Sequence, residues 1–168
     1  IDVYYFHSGE NKDFHNDELW EMLNKKMDAG IIGKLGLSLR HSLVIEKDYE
    51  QLYKVKEYGI SVIQTVLNMY SRQSLDFVIP FCGENDIEIL GRMPLAKGLL
   101  TGKYTINHKF PEGDQRSKTT RLNRDIIKSL PDVTVKEAIE WCKRYVNGIV
   151  IGSKSREQIK NNFDLVNS

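Results

Sequence analysis

Residues 1–9 read IDVYYFHSG. In an extended segment successive side chains point to opposite faces, so Asp2, Tyr4 and Phe6 fall on one side and Val3, Tyr5 and His7 on the other. The stretch is a strand with a polar tip, and a histidine closes it. The next segment changes period. Asn16 is placed to cap a helix whose first turn carries Asp17 and Glu18; Leu19, Leu23 and Met27 form its apolar face, and Gly30 stops it. One strand leads to one helix.

The unit then recurs. GKLGLS at 33–38 is a short apolar strand, and EKDYEQLYKVKEYG at 46–59 predicts a helix with Leu52 and Val55 inward and Gly59 at its end. ISVIQTV at 60–66 is a third strand. The helix expected around Leu75–Phe81 contains Pro80, which should end or kink it. DIEILG at 86–91 is a fourth strand. Residues 101–118 carry turn chemistry without apolar periodicity and read as a long loop of the kind that carries function. Thr134 and Glu137 form a capping-box pair, NGIVIGS at 147–153 is a fifth strand, and Ser155 with Gln158 forms a second capping-box pair. That last pair opens a helix predicted to bury Ile159, Phe163 and Val166. Strands alternating with helices predict a parallel α/β sheet with right-handed crossovers, either a closed barrel or an open doubly wound sheet. In a barrel the chemistry sits at the C-terminal ends of the strands, where His7, Ser38, Gln64, Arg92 and Ser153 all fall.

Composition narrows the class of function. The chain has 168 residues, 40% of them hydrophobic, enough for one domain with a hydrophobic core. With 24 basic and 23 acidic side chains the net charge is +1, so no global field draws in nucleic acid or an anionic membrane, and neither is expected as a partner. Cys82 and Cys142 lie far apart without a CxxC or a histidine pair, which suggests neither zinc nor a disulfide framework and makes a reducing, cytoplasmic setting the expectation.

His7 can act as a general acid or as a hydrogen-bond donor to a carbonyl oxygen, although a histidine at a strand end is more often structural. GSKSREQIKNN at 152–162 combines a glycine that permits close backbone approach with Lys154 and Arg156 at a helix start, which suits a phosphate; equally, Ser155 simply caps the helix and the cations are solvated. MPLAKGLLTGKY at 93–104 is either a packed loop or a cradle that lays backbone against a flat ligand. Gln64, inside an apolar strand, must satisfy its amide internally or on a ligand.

The ordered set IDVYYFHSG, AGIIGKLGLS, VIQTVLNMYSR, PLAKGLLTGKY, FPEGDQR and GSKSREQIKNN resembles the aldo-keto reductase family over nearly the whole chain. The resemblance implies a (β/α)8 TIM barrel of aldo-keto reductase type, here five of the eight βα units as a single domain over residues 1–168, in which the opening strand corresponds to the fourth. It implies NAD(P)H-dependent reduction of aldehydes or ketones, a small-molecule carbonyl substrate, and His7 as the active-site histidine that polarises the carbonyl. Ser38 and Gln64 match residues that bond the nicotinamide carboxamide. Pro94, Leu95, Gly98 and Leu100 match the loop beside the nicotinamide ribose and pyrophosphate. Gly152, Ser153 and Lys154, with Arg156 nearby, match the segment holding the adenosine phosphate, and Gln158 and Asn162 match adenine-side contacts. Lys154 and Arg156 favour NADP(H) over NAD(H).

The departures from the family pattern are specific. Leu39 stands where the family has an asparagine, Arg92 and Met93 where an aromatic and a serine are common, and Asn161 where a glutamate is frequent. The family's catalytic tyrosine, lysine and aspartate lie in the first half of its barrel and have no matching positions here, so the isolated chain is expected to be inactive. A non-catalytic half-barrel that binds nucleotide or packs on a partner, as a homodimer or with an N-terminal half, is the alternative; a phosphate-binding barrel of unrelated chemistry is a third reading.

Overall fold

The structure, a computed structural model, describes residues 1–130 and 132–167. Five strands, β1 (Val3–His7), β2 (Lys34–Ser38), β3 (Ile60–Val66), β4 (Glu88–Arg92) and β5 (Gly148–Val150), form one sheet in sequential order, each neighbouring pair parallel. A doubly wound sheet would reverse its order at a switch point, and this one does not. Among the described residues β1 pairs only with β2 and β5 only with β4, so each has an unpaired edge.

One face of the sheet is covered by helices α1 (Asn11–Phe14), α2 (Asp17–Asp28), α3 (His41–Glu46) and α4 (Val78–Glu84). Phe6, Leu35, Leu37, Ile63 and Ile89 from the strands pack with Phe14, Trp20, Val44 and Val78 from these helices, and β-strand alternation turns His7, Ser38, Gln64 and Arg92 to the opposite face. α2 starts where expected, with Asn16 Oδ1 accepting the Leu19 N–H at 3.1 Å. Its Trp20 stacks on Tyr58 at 5.1 Å and meets Phe14 edge-on at 5.2 Å, while its indole N–H donates to the Phe14 carbonyl at 2.7 Å. Phe6 joins this aromatic nest at 5.4 Å from Phe14, which anchors β1 just before His7.

The structure corrects the sequence reading in three places. The helix expected over 46–59 is replaced by α3, a left-handed Lys47 (φ 58°) and a 3-10 turn at Glu50–Lys54. Asp48 causes the break by accepting the Glu50 N–H at 3.2 Å with its own carboxylate, a side-chain bond that competes with helix continuation. Leu52 and Val55 are nonetheless fully buried, and Gly59 ends the segment at φ 71°. Pro80 neither ends nor kinks α4: it is the third residue of that helix, where its missing N–H would have had no helical partner.

The last helix is the third difference. α6 (Val135–Lys143) forms as the pattern suggested, with both halves of the Thr134–Glu137 capping box, and is preceded by α5 (Thr120–Ser129), which the sequence reading did not assign. α7 (Arg156–Asn167) leaves Ile159 59% and Phe163 67% exposed instead of burying them. It comes after the outermost strand and packs chiefly against α6, which leaves these two side chains on the outside.

Candidate cofactor cleft

The strand register places His7 beside Ser38 and Ser38 beside Gln64, one row across the C-terminal edge of three adjacent strands. Neighbouring strands lie about 4.8 Å apart, so His7 is about 10 Å from Gln64. Ser38 is buried and donates its hydroxyl to Gln64 Oε1 at 3.3 Å. The Gln64 amide NH2 has no acceptor among the described residues, and Gln64 opens onto a cleft of about 1170 Å³.

Arg92, the last residue of β4, lies on the same wall. Its Nη2 donates to the Leu39 carbonyl at 3.1 Å, and its Nε is buried without an acceptor among the described residues. No carboxylate pairs with it there. His41 sits near enough that burial and the Arg92 charge push its pKa below the ordinary histidine value, and its Nδ1 is likewise buried without a partner.

Beyond Arg92 the chain takes up a strained course. Met93 (φ 62°), Ala96 (φ 45°) and Lys97 (φ 58°) all adopt the left-handed region, with Gly98 next at φ 84°. Non-glycine residues hold that conformation only where the surroundings over-determine it. Here Ala96, Leu99 and Leu100 are locked into a core with Ile126, Ile127 and Ala138. Pro94, Leu95 and Gly98 line the cleft; Leu100, expected beside them, is 1% exposed, with its side chain in the core beneath the loop.

Gly152, Ser153 and Lys154, at the exit of β5, line the cleft together with Gln158 and Asn162 of α7. Asn162 donates to Ser153 Oγ at 2.9 Å. Ser155 Oγ accepts the Gln158 N–H at 3.2 Å as a cap should, but Gln158 Oε1 accepts from the Lys154 N–H at 2.7 Å, one residue earlier than the expected reciprocal bond. This shift folds Lys154 back onto the first turn. Arg156 is exposed and not part of the wall, and His7 and Ser38 also stand outside it.

Sequence reasoning assigned no role to Tyr104, Asp114 or Arg116, which complete the cleft. Arg116 binds Asp114 through Nε at 3.0 Å and Nη2 at 2.7 Å, and its Nη1 donates to the Lys97 carbonyl and the Tyr104 hydroxyl, each at 3.1 Å. The guanidinium also lies 4.1 Å over the Phe110 ring. The long loop is therefore a strap pinned to the strained cradle. The sequence marked 101–118 as a functional loop by its turn chemistry, without showing where it would dock.

Among the described residues no group of three or more His, Cys, Asp or Glu side chains is placed to hold a metal, and no helix is long and apolar enough to cross a membrane. The aldo/keto reductase family model matches residues 1–168. An aldo-keto reductase of Schizosaccharomyces pombe whose name specifies NADP(+) is 34% identical over 157 residues, covering 88% of this chain and 43% of its own length. The holo form of an aldo-keto reductase from Bacillus halodurans superimposes with a TM-score of 0.69 at 27% identity, over 100% of this chain and 56% of that one. A glycerol dehydrogenase from Gluconobacter oxydans, 23% identical, shares the fold with a TM-score of 0.67, over 99% of this chain and 58% of that one. The chain thus spans about half the length of these relatives, and by sequence and by fold it belongs to the aldo/keto reductase family.

Proposed function

We propose that the cleft binds NADP(H) and that the chain forms the cofactor side of a reductase for aldehydes or ketones. One observation carries this reading: a single cleft is lined by Gln64 with its half-free amide, by the left-handed backbone around Met93, Lys97 and Gly98, and by Lys154 and Asn162. An extended dinucleotide has that sequence of needs: amide partners for its carboxamide, close backbone along its diphosphate, and a cation for its terminal phosphate. Arg92, which lines the same cleft without a carboxylate partner among the described residues, adds a positive charge suited to a polyanionic ligand.

Bound NADPH supplies the hydride. In this reading Ser38 orients Gln64, which turns its amide toward the carboxamide, and the strap holds the cradle against the ribose and diphosphate. Lys154 selects the 2′-phosphate. His7, at the far end of the row, donates a hydrogen bond to the substrate carbonyl oxygen and draws charge onto it. The tyrosine, lysine and aspartate that the family uses to deliver the proton come, on this proposal, from a segment outside these 168 residues.

The test monitors the absorbance of NADPH with a broad panel of aldehydes and ketones, for this chain alone and after addition of the N-terminal half of a relative. We expect no turnover from the chain alone, because loss of the acid costs on the order of 100- to 10,000-fold, and turnover once the other half is present. Robust turnover by the chain alone would show that a residue such as Tyr104 supplies the proton. A second reading, a nucleotide-binding subunit without catalysis that pairs with a copy of itself, rests on the unpaired edges of β1 and β5 and the exposed Ile159 and Phe163. It predicts NADPH binding and dimers, with no activity in either mixture.

A further inference from the structure

Asn68 lies just past the end of β3, is 1% exposed, and uses both ends of its amide. Its Oδ1 accepts the N–H groups of Tyr70 at 3.1 Å and Ser71 at 2.8 Å, which fixes its own turn. Its Nδ2 reaches across to the next β-strand exit and donates to the Met93 carbonyl at 3.1 Å. The neighbouring Leu67 N–H donates to the Arg92 carbonyl, also at 3.1 Å. Two consecutive carbonyls at the exit of β4 are thus held by two consecutive residues after β3. Met93 is where the chain enters the left-handed region, and its carbonyl also accepts the Ala96 N–H at 2.9 Å to close the first turn of the cradle.

We infer that Asn68, which does not line the cleft, is a positioning residue for dinucleotide binding: it holds Met93 in its strained conformation and so presets the 93–98 backbone for the ligand. A left-handed methionine is unfavourable by itself and persists only while its carbonyl is held in place. A buried amide can grip its own turn by the acceptor and the neighbouring loop by the donor. Without that donor the cradle relaxes, and ligand binding must reorder it at the expense of affinity. The inference rests on the NADP(H) reading of the cleft.

Asn68→Asp separates the two halves of the role. The acceptor that fixes the turn remains, whereas the donor to Met93 is present only when the carboxyl is protonated. NADP+ titrations of the full chain at pH 7.5 and 5.5, each referred to the unsubstituted chain at the same pH, should show about tenfold weaker binding at the higher pH and recovery at the lower. Hydrogen exchange without ligand should show faster exchange over residues 93–100 at pH 7.5, with the β3 amides unchanged; Asn68→Ala, which loses both halves, should show the exchange effect without the pH-dependent recovery. If the unsubstituted chain binds NADP+ and Asn68→Asp binds it as tightly as the unsubstituted chain at pH 7.5, the positioning role is wrong and the cleft reading stands. If the unsubstituted chain does not bind NADP+, the cleft reading fails and this inference with it.

Discussion

Arg116 holds Asp114 in a two-point grip, Nε on Oδ1 at 3.0 Å and Nη2 on Oδ2 at 2.7 Å, in the cleft that Lys154 also lines. The hydrogen bonds from Arg116 are the main reason the Asp114 carboxyl is held well below the usual carboxylate range, with Lys154 adding a smaller pull in the same direction. The grip also cancels a negative charge that would otherwise repel a phosphate at Lys154.

Because the folded pKa of Asp114 is depressed below its unfolded value of about 3.9, the pair contributes stability above that pH and loses it as the pH falls further. The stability difference between the unsubstituted chain and Asp114→Asn, measured by urea unfolding, should therefore be constant from pH 8 to pH 5 and shrink in stronger acid. A difference that vanished near pH 7 would mean that the pair does not form. Arg116→Lys should not restore the strap, since an ammonium cannot make the fork to the carboxylate and also reach Tyr104.

Lys154 lines the cleft and Arg156 does not, so the two cations should behave differently although they are two residues apart. Lys154→Ala is expected to reduce the preference for NADPH over NADH by about tenfold or more, the worth of a charge-assisted bond. Arg156→Ala should change it much less. Paired titrations of both variants with both nucleotides decide this, and equal effects would move the phosphate away from the β5 exit.

Burial pushes the thiols of Cys82 and Cys142 up to about 12, so at neutral pH almost no thiolate exists at either. Both are fully packed, Cys82 on the buried side of α4 and Cys142 against Leu67 with its thiol toward the Leu67 carbonyl at 3.4 Å. A thiol-reactive dye should label neither in the folded chain within minutes and both at once in denaturant. Prompt labelling of Cys142 would show that α6 opens readily from the sheet.

The features that local chemistry controls were legible in the sequence. ISVIQTV at 60–66 is β3 residue for residue, and the Thr134–Glu137 pair caps α6 as expected, because strand alternation and reciprocal capping need only near neighbours. Residues 46–59 misled for an equally local reason: their apolar spacing suits a helix, but Asp48 offered the backbone a competing bond and Lys47 turned left-handed before the helix could extend. Phe163 misled for a global one, since an apolar stripe shows that a face is suited to burial without showing what will cover it.

Residue type at short spacing was enough to establish that strands and helices alternate, that His7, Ser38 and Gln64 stand at strand ends, and that a basic, glycine-led segment precedes the last helix. Long-range packing was needed to bring Asn68 to Met93 across β3 and β4, to return Arg116 on its strap to Lys97 and Tyr104, and to turn Leu100 into the core while Lys154 turns to the cleft. These contacts join residues distant in the chain, and which of them form depends on sheet register and packing, which no local pattern encodes.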